Sequence, residues 1–300
     1  MLERYAGSHE GPFHGKTVAL ASPSSPTAEL DLAVKRVVDL GFNVVFEKLP
    51  RYLSWEGTPK ERAEQLNRFF KDQKIDIIWC LRGGMGSAAV IPHIDFSIVR
   101  ENRKPFIGYS DITILQLALL KHSGLRSIQF YLPAVTTGWF SSDEEISLLR
   151  SILDEKPIIW PIARNNVYRD GIAEGEVAGG CLDLVCSSIG TPHEIDTYDK
   201  VLFLEDVNIS AARLYNFLYH LKMSGKLDRI RGLAFSKIPR CTTGREHLHE
   251  FFREFDISPM LFGLDFGHTK KKMPLLLGGY SIIDTERGQI TMSFDPGDFS

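Results

Sequence analysis

Residues 105–120 read PFIGYSDITILQLALL. A short apolar run stops at Gly108-Tyr109-Ser110, and an amphipathic run at helical spacing starts at once. Strand, sharp turn and helix in that order form the layout of a nucleophile elbow, in which the turn lifts a serine hydroxyl above the edge of a sheet. Gly108 would relieve crowding beneath such a turn. The N–H of Asp111 would fall in the first helical turn, where donors lack intrahelical partners and the helix dipole favours an anion. The same pattern also suits a plain helix start, with Ser110 as N-cap and Asp111 in the first turn. Taken alone, the segment leaves both roles open.

The elbow stands in a series. β-rich runs at Thr17–Ala21, Asn43–Glu47, Asp76–Leu81, Pro105–Tyr109 and Ser127–Tyr131 alternate with amphipathic stretches, the pattern of βαβ units around a mostly parallel sheet. Leu30, Ala33, Val34, Val37 and Val38 share one helical face before Gly41, a C-cap residue. Thr58, Pro59 and Glu61 open the next helix as a capping box with proline in the first turn, and Ala63, Leu66 and Phe70 are its core face. In IIWCLRGGMGSAAVI a further strand runs into glycines and then a helix. Arg82, Gly83 and Gly84 would let backbone N–H groups approach a ligand closely. The loop lacks the Lys-Ser/Thr pair of a Walker A motif and does not match G-x-G-x-x-G, so it does not read as a nucleotide site. Ligand sites of parallel sheets lie beyond the carboxyl ends of the strands, which predicts that this loop and the Ser110 turn share a crevice.

Regularity fades between about Ser141 and Gly175, where a helix at Asp143–Leu153 precedes Pro157, Pro161 and the polar stretch RNNVYRDG. A length of 300 residues suits two domains, and the boundary is set here, giving 1–160 and 161–300. The second half offers the small-residue segment GGCLDLVCSSIG, a strand at Val201–Leu204 and a helix carrying Leu214, Phe217, Leu218 and Leu221. It is read as closing with short β-rich runs instead of clean βα repeats.

A serine hydroxyl needs a base, and the base needs an orienting partner. His268, in LDFGHTKKKMPLLLG, stands on a strand-end loop after a glycine; Glu205 ends the apolar run KVLFLED, where a buried acid requires a partner. Read singly, each also suits a structural role. His247 and His249 would point to different faces of one helix, and no H-E-x-x-H or paired Cys/His spacing occurs, so no metal site is expected. Asp95 and Asp111 are possible paired acids that nothing else in the sequence brings together. Trp55, Trp139 and Trp160 suit a pocket wall or core packing.

Composition narrows the class. With 43% hydrophobic and 24% charged residues the chain can bury a sizeable core, and 35 Lys+Arg against 38 Asp+Glu supply no electrostatic footprint for nucleic acid or an anionic membrane. Cys80, Cys181, Cys186 and Cys241 form no C-x-x-C pair, and three of them lie in apolar or small-residue surroundings that suggest buried thiols and a reducing, cytoplasmic compartment. The N-terminal sequence lacks the apolar core of a secretion signal, and no uninterrupted apolar run reaches membrane-spanning length.

In their order and spacing, VALASPSSP, LRGGMGSAAVIPHIDF, FIGYSDIT, GGCLDLVCSSIGTPHE, VLFLEDVN, LKMSGKL and FGHTKKKMPLLLGG make the chain resemble the LD-carboxypeptidase family of serine peptidases. That family includes muramoyl-tetrapeptide carboxypeptidases and microcin-C immunity peptidases. The resemblance covers nearly the whole chain and implies an α/β fold, with an N-terminal Rossmann-like parallel-sheet domain and a smaller, β-rich α+β C-terminal domain. It implies Ser110 as nucleophile, Glu205 as orienting acid, His268 as general base, and the N–H groups of Gly84 and Asp111 as oxyanion hole, with no cofactor. Arg82 and Gly83 are the candidates for substrate contact. The implied substrate is a small peptide cleaved between an L-centre and a C-terminal D-residue, as in murein; a peptidyl or aminoacyl nucleotide analogue and a noncatalytic peptide sensor are the alternatives. A homodimer is the expected assembly, with neither nucleic acid nor membrane as partner. Two departures stand out: Cys181 follows Gly179-Gly180 where the family commonly has asparagine, and Tyr131-Leu132-Pro133 stands where a Gly-Pro pair is usual.

Overall fold

The structure is a computed structural model that describes residues 2–131, 143–238, 244–253, 255–269, 273–295 and 297–299. Expectations resting on Leu132, Pro133, Trp139, Cys241, the lysines at 270–272 and the side chain of His247 lie outside the described residues. The chain divides into two compact units, Met1–Glu155 with Pro296–Ser300, and Lys156–Asp295.

The first unit is built on a sheet of β1 (Leu2–Tyr5), β2 (Thr17–Ala21), β3 (Asn43–Glu47), β4 (Ile77–Cys80), β5 (Phe106–Gly108) and β6 (Ser127–Gln129). Their order is β1-β3-β2-β4-β5-β6, parallel except for β1. The interior strands are Val/Ile/Leu-rich because both faces are covered. Trp79, Phe42, Phe46, Phe70 and Phe106 are fully buried, each contributing about 1.5–3 kcal/mol. The chain reverses its direction of winding between β2 and β4, so the loops after these two strands flank the point where open α/β sheets hold ligands.

Helix α1 (Leu30–Asp39) buries Ala33, Val34 and Val37. Helix α2 (Pro59–Lys71) starts with the anticipated capping box: Thr58 Oγ1 accepts the N–H of Glu61 at 3.2 Å, and Glu61 Oε2 accepts that of Thr58 at 2.7 Å. Besides Ala63, Leu66 and Phe70, α2 buries Arg62 and Gln65, polar residues that a hydrophobic pattern passes over. The helix expected after the glycine loop is a 3-10 turn, Ala88–His93. Pro92 inside it lacks the N–H an α-helix would use; α3 (Phe96–Glu101) follows. Helix α4 (Ile112–Ser123) is also a correction. It is not amphipathic: every residue from Ile112 to Leu119 is buried, because α4 lies among β5, β6, α3 and the 3-10 turn. Helix α5 spans Asp143–Leu153.

The second unit carries an eight-stranded sheet of β7 (Ile158–Pro161), β8 (Val167–Arg169), β9 (Ile172–Cys181), β10 (Val201–Glu205), β11 (Gly232–Ser236), β12 (Met260–Leu264), β13 (Tyr280–Asp284) and β14 (Gln289–Ser293). The order is β8-β12-β11-β10-β9-β13-β14-β7. Strands β9 to β12 are parallel and the flanking pairs antiparallel. Helices α6 (Leu182–Ser188), α7 (Ala211–Met223) and α8 (Gly244–Phe252) follow β9, β10 and β11. The unit is β-rich and contains successive βα repeats: the strand at Val201–Leu204 and the helix after it are as expected, whereas the helix after β9 is not anticipated by the sequence pattern. The reason is local: α6 is only seven residues long, too short to display a helical period. No helix among the described residues is long and apolar enough to cross a membrane.

Candidate active site

In the first unit, β5 ends at Gly108 and α4 begins at Ile112, with Ser110 between them at φ +61°. A residue with a Cβ seldom occupies this left-handed region, and such strain clusters at functional turns. The conformation sets aside the N-cap reading, since an N-cap residue is typically extended; the cap position belongs to Asp111. Gly108 relieves a different crowding from the one expected: a Cβ there would meet Ile112 Cγ2 at 2.5 Å, so the glycine lets the helix start pack onto the strand end. Tyr131 fills the wall beside the elbow, edge-on to Tyr109, and its hydroxyl donates to Glu145 Oε1 at 2.8 Å.

The glycine loop after β4 lies against the elbow. A Cβ on Gly83 would fall 2.7 Å from Ser110 Cβ and 3.0 Å from its Oγ, so Gly83 is the space the serine side chain needs. Gly84, at φ +117°, is exposed and pressed on Ser25, whose Oγ would lie 2.3 Å from a Cβ. Arg82 Nη1 donates to Pro26 O at 3.3 Å. The structure thus brings Ser110, Asp111, Gly83 and Gly84 together in one unit. The carboxylate of Asp111 is buried, and its Oδ2 accepts from Ser24 Oγ at 2.6 Å and from the N–H of Ser87 at 2.9 Å. Ser24 and Ser87 were missed in the sequence, being two small polar residues among several.

In the second unit, Glu205 closes β10 at 0% exposure. Its Oε2 lies 2.7 Å from His268 Nδ1 and accepts the backbone N–H of His268 at 3.2 Å. A carboxylate at Nδ1 holds the proton on that nitrogen and leaves the lone pair on Nε2, the tautomer of a general base. Gly267, at φ +70°, makes this approach possible: a Cβ there would sit 2.3 Å from Glu205 Oε2. The His268 loop is tied at its base, where Phe266 bridges Met273 and the N–H of Met273 donates to Asp265 O at 2.8 Å. The His268 side chain is 17% exposed, enough for contact with a reactant.

Around this pair, Gly179, Gly180 and Cys181 run parallel to Phe203, Leu204 and Glu205. A Cβ on Gly179 would meet Phe203 O at 1.8 Å. Cys181 is buried, and burial followed by the nearby Glu205 pushes its thiol well up. Burial likewise raises Cys80, and raises Cys186 to about 12. Asp206 is raised to about 6 by burial, partly offset by the N–H groups of Val207 and Asp183. Asp95 caps α3 through the N–H groups of Ser97 and Ile98, whereas Asp111 serves the elbow, so the two acids have separate jobs. The His249 ring packs at a tilt against Tyr168 and Phe262. Among the described residues no group of three His, Cys, Asp or Glu side chains could hold a metal ion.

The chain matches the LD-carboxypeptidase N-terminal domain over residues 18–129 and the LD-carboxypeptidase C-terminal domain over 174–282. A probable murein peptide carboxypeptidase of Bacillus subtilis is 31% identical over 290 residues, spanning 90% of this chain and 89% of that relative. The chain belongs to the LD-carboxypeptidase family. This membership makes it a peptidase. The crystal structure of muramoyltetrapeptide carboxypeptidase from Oxalobacter formigenes superposes with a TM-score of 0.83 at 25% identity, over 93% of this chain and 99% of the other. The microcin C7 self-immunity protein MccF of Escherichia coli is 27% identical over 328 residues, 93% of each chain. Ser110 and the glycine loop fall in the N-terminal LD-carboxypeptidase match, and Glu205 and His268 in the C-terminal one.

Proposed function

We propose that this chain is a serine-type LD-carboxypeptidase in which Ser110 of the first unit acts with the Glu205–His268 pair of the second. The observation that carries the reading is the buried Glu205 carboxylate on His268 Nδ1 at 2.7 Å, since burying an acid is costly without a partner it serves. The strained turn at Ser110 supports it from the other unit. Ser110 Oγ attacks an amide carbonyl as His268 Nε2 takes its proton. The oxyanion is held by the N–H groups of Gly84 and Asp111, at the positive end of α4. Collapse breaks the C–N bond, and His268 returns the proton to the departing amine. Water, deprotonated by His268, then attacks the acyl-enzyme and frees the acid and Ser110.

The substrate class is an amide between an L-centre and a C-terminal D-amino acid in a murein peptide, supported by the Bacillus and Oxalobacter relatives. Arg82 is the candidate for the substrate carboxylate, and a cytoplasmic homodimer is part of the same reading. The similarity to MccF along 93% of the chain favours a second substrate, an aminoacyl or peptidyl nucleotide analogue cleaved by the same chemistry. Ser110→Ala is expected to lower kcat roughly 10⁶-fold on whichever of a murein tetrapeptide and an aminoacyl-sulfamoyl adenylate is turned over, and the wild type is expected to show an acyl-enzyme mass increment on Ser110. Substantial hydrolysis by Ser110→Ala would remove Ser110 from the mechanism. Tight peptide binding without turnover would favour a noncatalytic sensor.

A further inference from the structure

The loop after β4 is held at three consecutive residues beyond Gly84. The N–H of Met85 donates to Ser25 Oγ at 3.1 Å, and the C=O of Met85 accepts from Trp55 Nε1 at 2.9 Å. The C=O of Gly86 accepts from Arg62 Nη1 at 3.3 Å, and the same nitrogen donates to Pro23 O at 2.7 Å. The N–H of Ser87 donates to Asp111 Oδ2, and its hydroxyl donates to Asp111 O at 2.6 Å. These partners come from four separate places: the loop after β2, the small hairpin of Arg51–Tyr52 and Trp55–Glu56, helix α2, and the elbow itself.

Arg62 is 2% exposed, and its guanidinium carbon lies 5.8 Å from the centre of the Trp55 ring. Its Nε has no hydrogen-bond partner among the described residues. Burying a guanidinium and a carboxylate carries a large desolvation cost before pairing, and apolar residues of similar volume would stabilise a core as well or better. Mere packing does not explain Arg62 and Asp111. What they supply is a single conformation for a loop with glycines at φ +117° and +106°, which would otherwise have wide freedom. The fit is close: a Cβ on Gly86 would lie 2.6 Å from Trp55 Nε1.

We propose that Trp55, Arg62 and the carboxylate of Asp111 are positioning residues for the oxyanion site, locking residues 85–87 so that the N–H of Gly84 is held beside Ser110 where negative charge develops. The proposal rests on the reading of Ser110 as nucleophile and of Gly84 as oxyanion donor. A displacement of about 1 Å at such a donor costs on the order of 100-fold in rate, so loosening the lock acts on kcat and leaves substrate affinity largely alone.

The test compares wild type, Trp55→Phe, Arg62→Met, Arg62→Lys and Ser110→Ala. Trp55→Phe keeps the ring and removes one N–H; Arg62→Met keeps most of the volume and removes the donors. Two quantities are read: kcat and KM on a murein tetrapeptide, and the rate at which a fluorophosphonate, whose phosphoryl oxygen enters the oxyanion site, labels Ser110. The expected result is a fall of about 10- to 100-fold in both kcat and labelling rate for Trp55→Phe and Arg62→Met, with KM within about threefold and partial recovery in Arg62→Lys. Folded Trp55→Phe that labels and turns over within about twofold of wild type, or a loss confined to KM, would overturn the proposal. Because Trp55 is only half-buried, this variant decides the matter even if Arg62→Met fails to fold. Labelling that persists in Ser110→Ala would instead sink the nucleophile assignment, a separate failure.

Discussion

At Ser110 the backbone stands at φ +61°, a conformation that costs about 1–3 kcal/mol and persists only where its surroundings enforce it. Gly83, which leaves room for the serine side chain, and the N–H of Thr113, which donates to Ser110 O at 2.9 Å, are among those surroundings. At Glu205 one oxygen does two things: Oε2 takes both the ring N–H and the backbone N–H of His268. Oε1 is buried without a hydrogen-bond partner among the described residues. Glu205→Gln can therefore keep an oxygen at the Oε2 position and preserve the imidazole tautomer while removing the charge. On the proposed mechanism kcat falls by about 10²- to 10⁴-fold, and the acid limb of the kcat/KM profile moves to lower pH, because the imidazolium loses its counter-charge. A pH–rate profile superimposable on that of the wild type would show that the carboxylate's charge takes no part.

Among the elements, α2 reaches furthest beyond its own boundaries. The capping box at Thr58 and Glu61 starts the helix one turn before Arg62 and Gln65, whose side chains leave the helix to bind backbone carbonyls at Pro23, Gly86 and Glu47. Thr58→Ala is expected to destabilise the fold by about 1 kcal/mol, measured as a lower urea midpoint at unchanged slope. A change in slope would mean that losing the cap alters the native or denatured state more broadly. The elements of the first unit were largely legible from pattern, since strands of four or five apolar residues alternate with helices marked by caps and glycines. Two were misread. The α4 segment reads as amphipathic although every residue from Ile112 to Leu119 is buried, because a period cannot show how many neighbours a helix has. The helix that the pattern suggests after the glycine loop is a 3-10 turn, since Pro92 supplies no N–H for an α-helical bond. In the second unit, the short α6 hid a βα repeat.

For the molecule as a whole, Asp206 links stability to pH. Its carboxyl is raised from 3.8 to about 6, chiefly by burial, so between these values the folded chain holds a proton that the unfolded chain has released. Stability falls as pH rises through that window and stays lower above it. Asp206→Asn should melt higher relative to wild type at pH 7.5 than at pH 4, the difference between the two pH values corresponding to about 1–3 kcal/mol. Thermal unfolding of both proteins across this range checks it, and a pH-independent difference would mean that the carboxyl titrates normally. The two matched LD-carboxypeptidase domains each contribute part of the proposed chemistry, the nucleophile and oxyanion donors from one, the acid and base from the other. From the amino-acid sequence alone came the strand–turn–helix at Ser110, the glycine loop, the strand ending at Glu205 and the glycine before His268, because each is a local pattern imposed by backbone sterics or hydrophobic period. Only the tertiary structure decided that Glu205 meets Nδ1 of His268 and that Trp55, Arg62, Ser24 and Ser87 converge on the elbow and its glycine loop. Those contacts join residues tens of positions apart, and sequence spacing carries no record of which side chains a folded sheet brings within hydrogen-bond reach.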